Sequence, residues 1–212
     1  MAISRRNALK ALGAVPAAVG FTWTPADAEH AHQAATQARK ATTAARSTFK
    51  PKFFMPHEWA TVRVLVDLII PKDERSGSAT DAAVPEFMDF VMLAPAVTGE
   101  ADRARRQTAM RGGLRWLDAE CRRQFDKTFV GCTAAERTEV LDAIAWPERA
   151  KGNAAISHGV AFFSSFRDLT ASGFWSSKMG IEDLKYMGNV AYPNWDGCPP
   201  AALSHLGFAT DN

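Results

Sequence analysis

The side chains that could carry chemistry in this chain are few and widely spaced. Ser47-Thr48-Phe49-Lys50 matches the S-x-x-K of serine acyltransferases, in which a lysine helps to activate the nucleophile. No K-T-G follows it, and the 162 residues downstream do not read as a mixed α/β domain. His30 and His32 could pair on a metal, yet their surroundings are rich in Ala, Thr and Gln and offer no third ligand. His158 falls within an apolar helical run and reads as a packed, hydrogen-bonded side chain rather than a catalytic base. Cys121, Cys132 and Cys198 form neither a C-x-x-C pair nor a C-x-x-C-H run, so they give no zinc, iron–sulfur or haem-attachment pattern. There is no G-x-G-x-x-G, no G-x-x-x-x-G-K-[ST], no G-x-S-x-G and no H-E-x-x-H, and Glu-x-x-His does not occur twice, as a di-iron bundle would need. The residues therefore predict no catalytic, cofactor-binding or metal site in this chain.

What must hold these residues is a helical domain. With 212 residues, 47% of them apolar, the chain can bury one good core. From Phe53 onward, apolar residues recur at helical spacing, and no period-two run competes. A first helix is expected over 56–70, with Trp59, Val62, Val66 and Ile69 inward and Pro71 as its stop. A polar loop over 72–83 leads to Pro85 and a short helix carrying Phe87, Phe90 and Val91. A long helix over 101–125 puts Met110, Leu114, Leu117 and Cys121 on one face, and its arginines, Arg106 and Arg111 among them, read as a solvated face. Thr133-Ala134-Ala135-Glu136 has the form of a capping box and opens a helix with Val140, Leu141 and Ile144 inward. Ile156, Val160, Phe162, Phe163, Phe166 and Leu169 make the broadest apolar face, that of a central core helix.

After Gly173, aromatics, Gly, Pro and Asn crowd too densely for regular structure to be expected. Phe174, Trp175, Tyr186, Asn189, Trp195, Gly197, Cys198 and Pro199 lie there. Loops of this composition either pack back on their own domain or form a contact surface. The fold class expected is all-α: a small irregular helical domain over 49–212 with long aromatic-rich C-terminal loops.

The first 28 residues read as an address. Ser4-Arg5-Arg6-Asn7-Ala8-Leu9-Lys10 resembles the twin-arginine export motif, departing from it at Ala8, where an aromatic or large apolar residue is usual. Behind it, residues 11–26 are uncharged, weakly apolar and interrupted by Pro16, which suits a signal h-region better than a membrane span. Ala26-Asp27-Ala28 supplies a small-x-small site, predicting cleavage after Ala28, and residues 29–48 read as an Ala/Thr/Gln-rich linker. The formal net charge is +2; Arg5, Arg6, Lys10 and Asp27 account for all of it, so nothing in the remainder points to nucleic acid. Export would also permit a disulfide. Cys121 and Cys132, 11 residues apart at the end of one expected helix and the start of the next, are favoured over either pairing with Cys198.

Several segments together resemble the gluconate 2-dehydrogenase subunit 3 family. They are Phe54-x-x-His57-Glu58-Trp59 leading to Ile69-Ile70-Pro71, and Asp81-x-x-Val84-Pro85-Glu86-Phe87-x-Asp89. Then come Gly159-x-x-Phe162-Phe163, Asp168-Leu169-Thr170, Gly173-Phe174, Asp183-Leu184-x-Tyr186-x-Gly188-Asn189 and Trp195-x-Gly197-Cys198-Pro199. The resemblance implies a non-catalytic small subunit with no cofactor of its own. Its partner would be an FAD-binding catalytic subunit of the glucose-methanol-choline type, often joined by a cytochrome c. The small subunit would take that partner through the twin-arginine machinery, folded, into the periplasm, where the complex can be membrane-associated. Members close to this pattern accompany glucoside 3-dehydrogenases. The alternative is a free-standing periplasmic binding or stress protein. On the first reading, the aromatic C-terminal residues named above would face the flavin subunit.

Overall fold

A computed structural model describes residue 33 and residues 49–94, 100–148, 150–188 and 197–208. The expected signal residues Arg5, Arg6 and Ala28 lie outside this set, as do Asn189 and Trp195 and all of the expected linker except Gln33, which is helical and exposed. The described residues are helical and contain no strand. In chain order the helices with described bounds are α1 (Pro56–Ile69), α2 (Val84–Leu93), α3 (Glu100–Phe125), a 3-10 turn (Phe129–Gly131), α4 (Ala134–Ala145), α5 (Ser157–Trp175), α6 (Lys178–Asp183) and α7 (Pro200–His205).

Helix α5 is the hub: α1, α2, α3, α4 and α6 all pack on it. Phe166, Leu169 and Phe174 of this helix are fully buried, with Phe162 and Phe163 close behind. Each such ring taken from water stabilises the fold by about 1.5–3 kcal/mol. Its crossing with α3 is close because each helix gives up a side chain to the other. The ring of Phe162 lies over Gly113 and the ring of Trp116 over Gly159, with no room for a Cβ at either glycine. A third glycine, Gly173, lets α2 approach: a Cβ there would stand 2.7 Å from Cδ1 of Phe87.

Helix α3 spans about 39 Å at 1.5 Å per residue and is amphipathic along its length. Met110, Leu114, Leu117 and Cys121 are buried in a line, as their spacing requires. Two of its arginines correct the expectation of a solvated face. Arg106 is buried and donates to the Ala94 carbonyl at 3.0 Å. Arg111 donates to the Phe53 carbonyl at 2.8 Å and lies 4.6 Å from the centroid of the Phe53 ring. These long side chains fix neighbouring chain segments rather than dress the surface.

Residues 49–55, just ahead of α1, are not helical, and one carboxylate accepts from three of their amides. Asp89, fully buried in α2, accepts from the amides of Lys52 and Phe53 at 2.9 Å each and of Phe54 at 3.1 Å. Pro at the first position of α1 and the Glu58 carboxylate, which accepts from the Met55 amide at 2.9 Å, then start the helix. The capping box of α4 forms as its sequence predicts: Thr133 Oγ1 accepts from the Glu136 amide at 3.3 Å, and Glu136 accepts from the Thr133 amide at 2.7 Å. None of the described helices is long and apolar enough to cross a membrane.

Candidate partner-binding surface

Residues 174–183 are largely helical where the sequence predicts loops, while residues 186–188 and 197–199 are non-helical as expected. Helix α5 continues to Trp175, and Ser177 begins α6 by accepting from the Gly180 amide at 3.0 Å. The turn between the two helices is compact, with the Ser177 amide donating to the Phe174 carbonyl at 2.9 Å. Gly180 is buried against that same carbonyl, where any Cβ would collide with backbone. Met179 packs on the core, and Arg75, from the loop after α1, reaches Asp183 through both its carbonyl (2.8 Å) and its carboxylate (2.9 Å). Helix α6 is thus pinned at its start, middle and end.

From the end of α5 to the residues just after α6, large side chains stand exposed between the charged Lys178, Glu182 and Lys185. Trp175 is 38% exposed, Ile181 40%, Leu184 55%, Tyr186 54% and Met187 93%. Five large apolar or amphipathic side chains exposed within thirteen residues, on and beside an anchored helix, make this the candidate contact surface. Phe174, expected at the partner interface, is a correction: it is fully buried and edge-on to Trp175 at 4.9 Å between ring centroids. Successive helical residues point about 100° apart, so of the adjacent pair one ring enters the core and the other faces out. Gly197, Cys198 and Pro199 are exposed and lead into α7, of which no residue is buried, followed by exposed Leu206 and Phe208.

The remaining chemistry-bearing residues are structural or surface groups. His158 is exposed, not packed as expected, because it lies one position off the buried stripe that passes through Gly159 and Phe162. Lys50 is exposed, and Phe49 beside it stacks on Trp59 at 5.5 Å; Ser47 of the S-x-x-K match lies outside the described residues. One polar pair was not singled out from the sequence as chemistry. His57 Nε2 lies 2.5 Å from Asp118 Oδ2, while Asp118 Oδ1 accepts from the Phe129 amide at 2.9 Å. That carboxylate joins the start of α1, the middle of α3 and the 3-10 turn, 61 residues apart in the His–Asp case. No cluster of three or more His, Cys, Asp or Glu side chains able to hold a metal occurs among the described residues. A shallow open groove runs between the connection after α4 and the outer face of α5, lined by Pro147, Ala150, Val160, Ala161 and small polar residues, with Lys151 as its charged side chain.

Cys121 and Cys132 are both buried thiols that neighbour one another in the core, and Cys198 is an exposed one. Burial, with the Cys132 thiol beside it, pushes the Cys121 thiol up to about 12. At the surface, the Lys127 ammonium holds the Glu136 carboxyl below its ordinary value, and Arg123 does the same to Glu120.

Comparison with known proteins gives one family. No curated protein matches the chain, and no solved structure does. The model of the family described as gluconate 2-dehydrogenase subunit 3 matches residues 56–194, from the first residue of α1 to a point beyond the exposed surface around α6. A match over most of the chain, covering the helical core together with the exposed residues around α6, places this protein in the gluconate 2-dehydrogenase subunit 3 family, as a small subunit of a dehydrogenase complex.

Proposed function

We propose that this chain is the non-catalytic export and assembly subunit of a periplasmic, FAD-dependent dehydrogenase of the glucose-methanol-choline type, acting on a sugar or a glucoside at C3. The observation that carries this reading is the surface around α6, where Trp175 at the end of α5, Ile181 on α6, and Leu184, Tyr186 and Met187 just after it stand exposed beside a helix fixed from beneath. A subunit must offer such a surface to its partner; an isolated protein gains nothing from it. The partner binds FAD and removes a hydride from a carbinol carbon, and a cytochrome c takes the electrons onward. This chain contributes no group to that reaction. Its Arg5-Arg6 pair carries the folded complex through the twin-arginine route, and cleavage follows Ala28. Any membrane association comes through the complex.

The test is co-expression of the full chain with an FAD-binding glucose-methanol-choline type flavoprotein of the same organism, followed by fractionation. Wild-type chain brings a yellow complex and dye-linked sugar dehydrogenase activity to the periplasm. Replacing both Arg5 and Arg6 with Lys holds chain, flavin and activity in the cytoplasm. A colourless monomer in the periplasm, or periplasmic activity undiminished by the double replacement, overturns the proposal.

A further inference from the structure

We infer that Cys121 and Cys132 close into an intrachain disulfide that staples the C-terminal part of α3 to the 3-10 turn. The two cysteines occupy equivalent places on either side of one seam. Asp118 and Cys121 are three residues apart on α3 and so share a face. Phe129 and Cys132 are three residues apart across the 3-10 turn, where a repeat of three brings side chains into line. The first rung of the seam is the Phe129 amide on Asp118 Oδ1 at 2.9 Å, and the second is the Cys132 thiol against that of Cys121.

The seam is also fixed from outside. Arg137 donates to the Phe129 carbonyl at 2.9 Å and to the Val130 carbonyl at 2.5 Å, and Thr128 Oγ1 accepts from the Gly131 amide at 3.3 Å. Both thiols are buried, at 0% and 4% exposure, whereas Cys198 is exposed in the turn before α7. The pair is therefore preassembled, and the third cysteine stands apart from it.

The oxidant is a small-molecule or protein disulfide. One cysteine, as thiolate, attacks a sulfur of that disulfide and expels a thiol, giving a mixed disulfide. The second thiolate attacks the chain's own sulfur in the mixed disulfide and expels the second thiol. Two S–H bonds are lost and one S–S bond forms in the chain, while the oxidant's S–S bond becomes two S–H bonds. Burial leaves no room for the mixed disulfide in the closed fold, so the exchange runs during folding or local opening of the turn, not on the packed chain. The bond is internal and stands whether or not a flavin subunit is the partner.

The experiment uses the full chain carrying Cys198→Ser, unfolded and then refolded either in a mixture of oxidised and reduced glutathione or with excess reductant. After free thiols are blocked, digestion without reduction is followed by mass mapping. The expected result is a Cys121–Cys132 linked peptide two hydrogens lighter than its parts, and a melting temperature about 5–10 °C above the reduced form, as suits a short closed loop in a chain of this size. Complete alkylation of both cysteines after refolding in the glutathione mixture overturns the inference, as does a disulfide-linked dimer in place of the internal bond. Peptide mapping decides the matter even where a Cys132→Ala control fails to fold. Where that control folds, its oxidised and reduced melting temperatures coincide.

Discussion

The ring of Phe162 fills the space that a Cβ on Gly113 would need, and Gly112, the neighbouring residue on the same helix, faces nothing. Two adjacent glycines of α3 therefore answer the same substitution with opposite signs. Gly113→Ala forces the Phe162 ring or the whole α3–α5 crossing to move, a cost of about 1–3 kcal/mol or more that outweighs the ~1 kcal/mol gain in helix propensity. Gly112→Ala meets no obstacle and stabilises by about 0.5–1 kcal/mol. Thermal melts of the two single variants should move in opposite directions; a common direction rules out the packing argument.

Asp89 accepts from the amides of residues 52, 53 and 54, and its loss leaves three amides without that acceptor. Asp89→Ala should destabilise by about 3 kcal/mol or more, since each buried unsatisfied donor costs about 1–3 kcal/mol. Asp89→Asn keeps one oxygen for Phe53 and Phe54 but turns an NH₂ toward the Lys52 amide, so its loss should be smaller. Urea unfolding midpoints that rank the two variants the other way would refute acceptor count as the source of the stability.

Phe174 and Trp175 are neighbours with opposite duties. Phe174→Ala opens a core cavity and should cost about 3–5 kcal/mol of stability. Trp175→Ala and Met187→Ala should change the melting temperature of the isolated chain little, and Trp175→Ala should weaken binding to the flavin subunit by about 2 kcal/mol, as truncation of an interface anchor does. Melting and affinity measured on the same preparations separate the cases. A Trp175 variant that melts early and binds normally assigns that ring to the core.

Glu136 links stability to acidity. Its carboxyl is held below the ordinary 4.5, first by the Lys127 hydrogen bond and then by the Thr133 amide it caps. A folded value below the unfolded one means that the contribution is complete above 4.5 and disappears as pH falls through the lower, folded value. Wild type should therefore melt above Glu136→Gln at pH 6 and converge with it in acid. A gap of constant size from pH 6 to pH 3 would exclude the carboxylate as its source.

Much of the core could be read from the sequence because burial there follows a single period. Met110, Leu114, Leu117 and Cys121 lie inward as their spacing demands, and Thr133 and Glu136 cap α4 as that pairing predicts. Reading failed where long-range contacts decide the outcome. Residues 178–183 are too few and too polar to announce a helix; α6 exists because Ser177 caps it and Gly180 sinks against the Phe174 carbonyl. Arg106 and Arg111 resemble surface charges until the carbonyls they serve, 12 and 58 residues away, are in place. The same limit applies to the candidate surface: composition drew attention to the aromatics after Gly173, but only the phase of α5 separates buried Phe174 from exposed Trp175.

Gly180 has a consequence for the thermodynamics of association. With no side chain to hold it off, α6 is seated before any partner arrives, so the apolar groups it displays lose little backbone entropy on docking. Helix α7, six residues with none buried, has no such seat. Binding through α6 should carry the modest negative heat-capacity change of rigid surfaces meeting, and engagement of α7 should add the larger heat-capacity and entropy signature of a segment that folds onto its partner. Calorimetry of the chain truncated after Tyr186, set against the full chain, would divide one binding event into its preorganised and its induced halves.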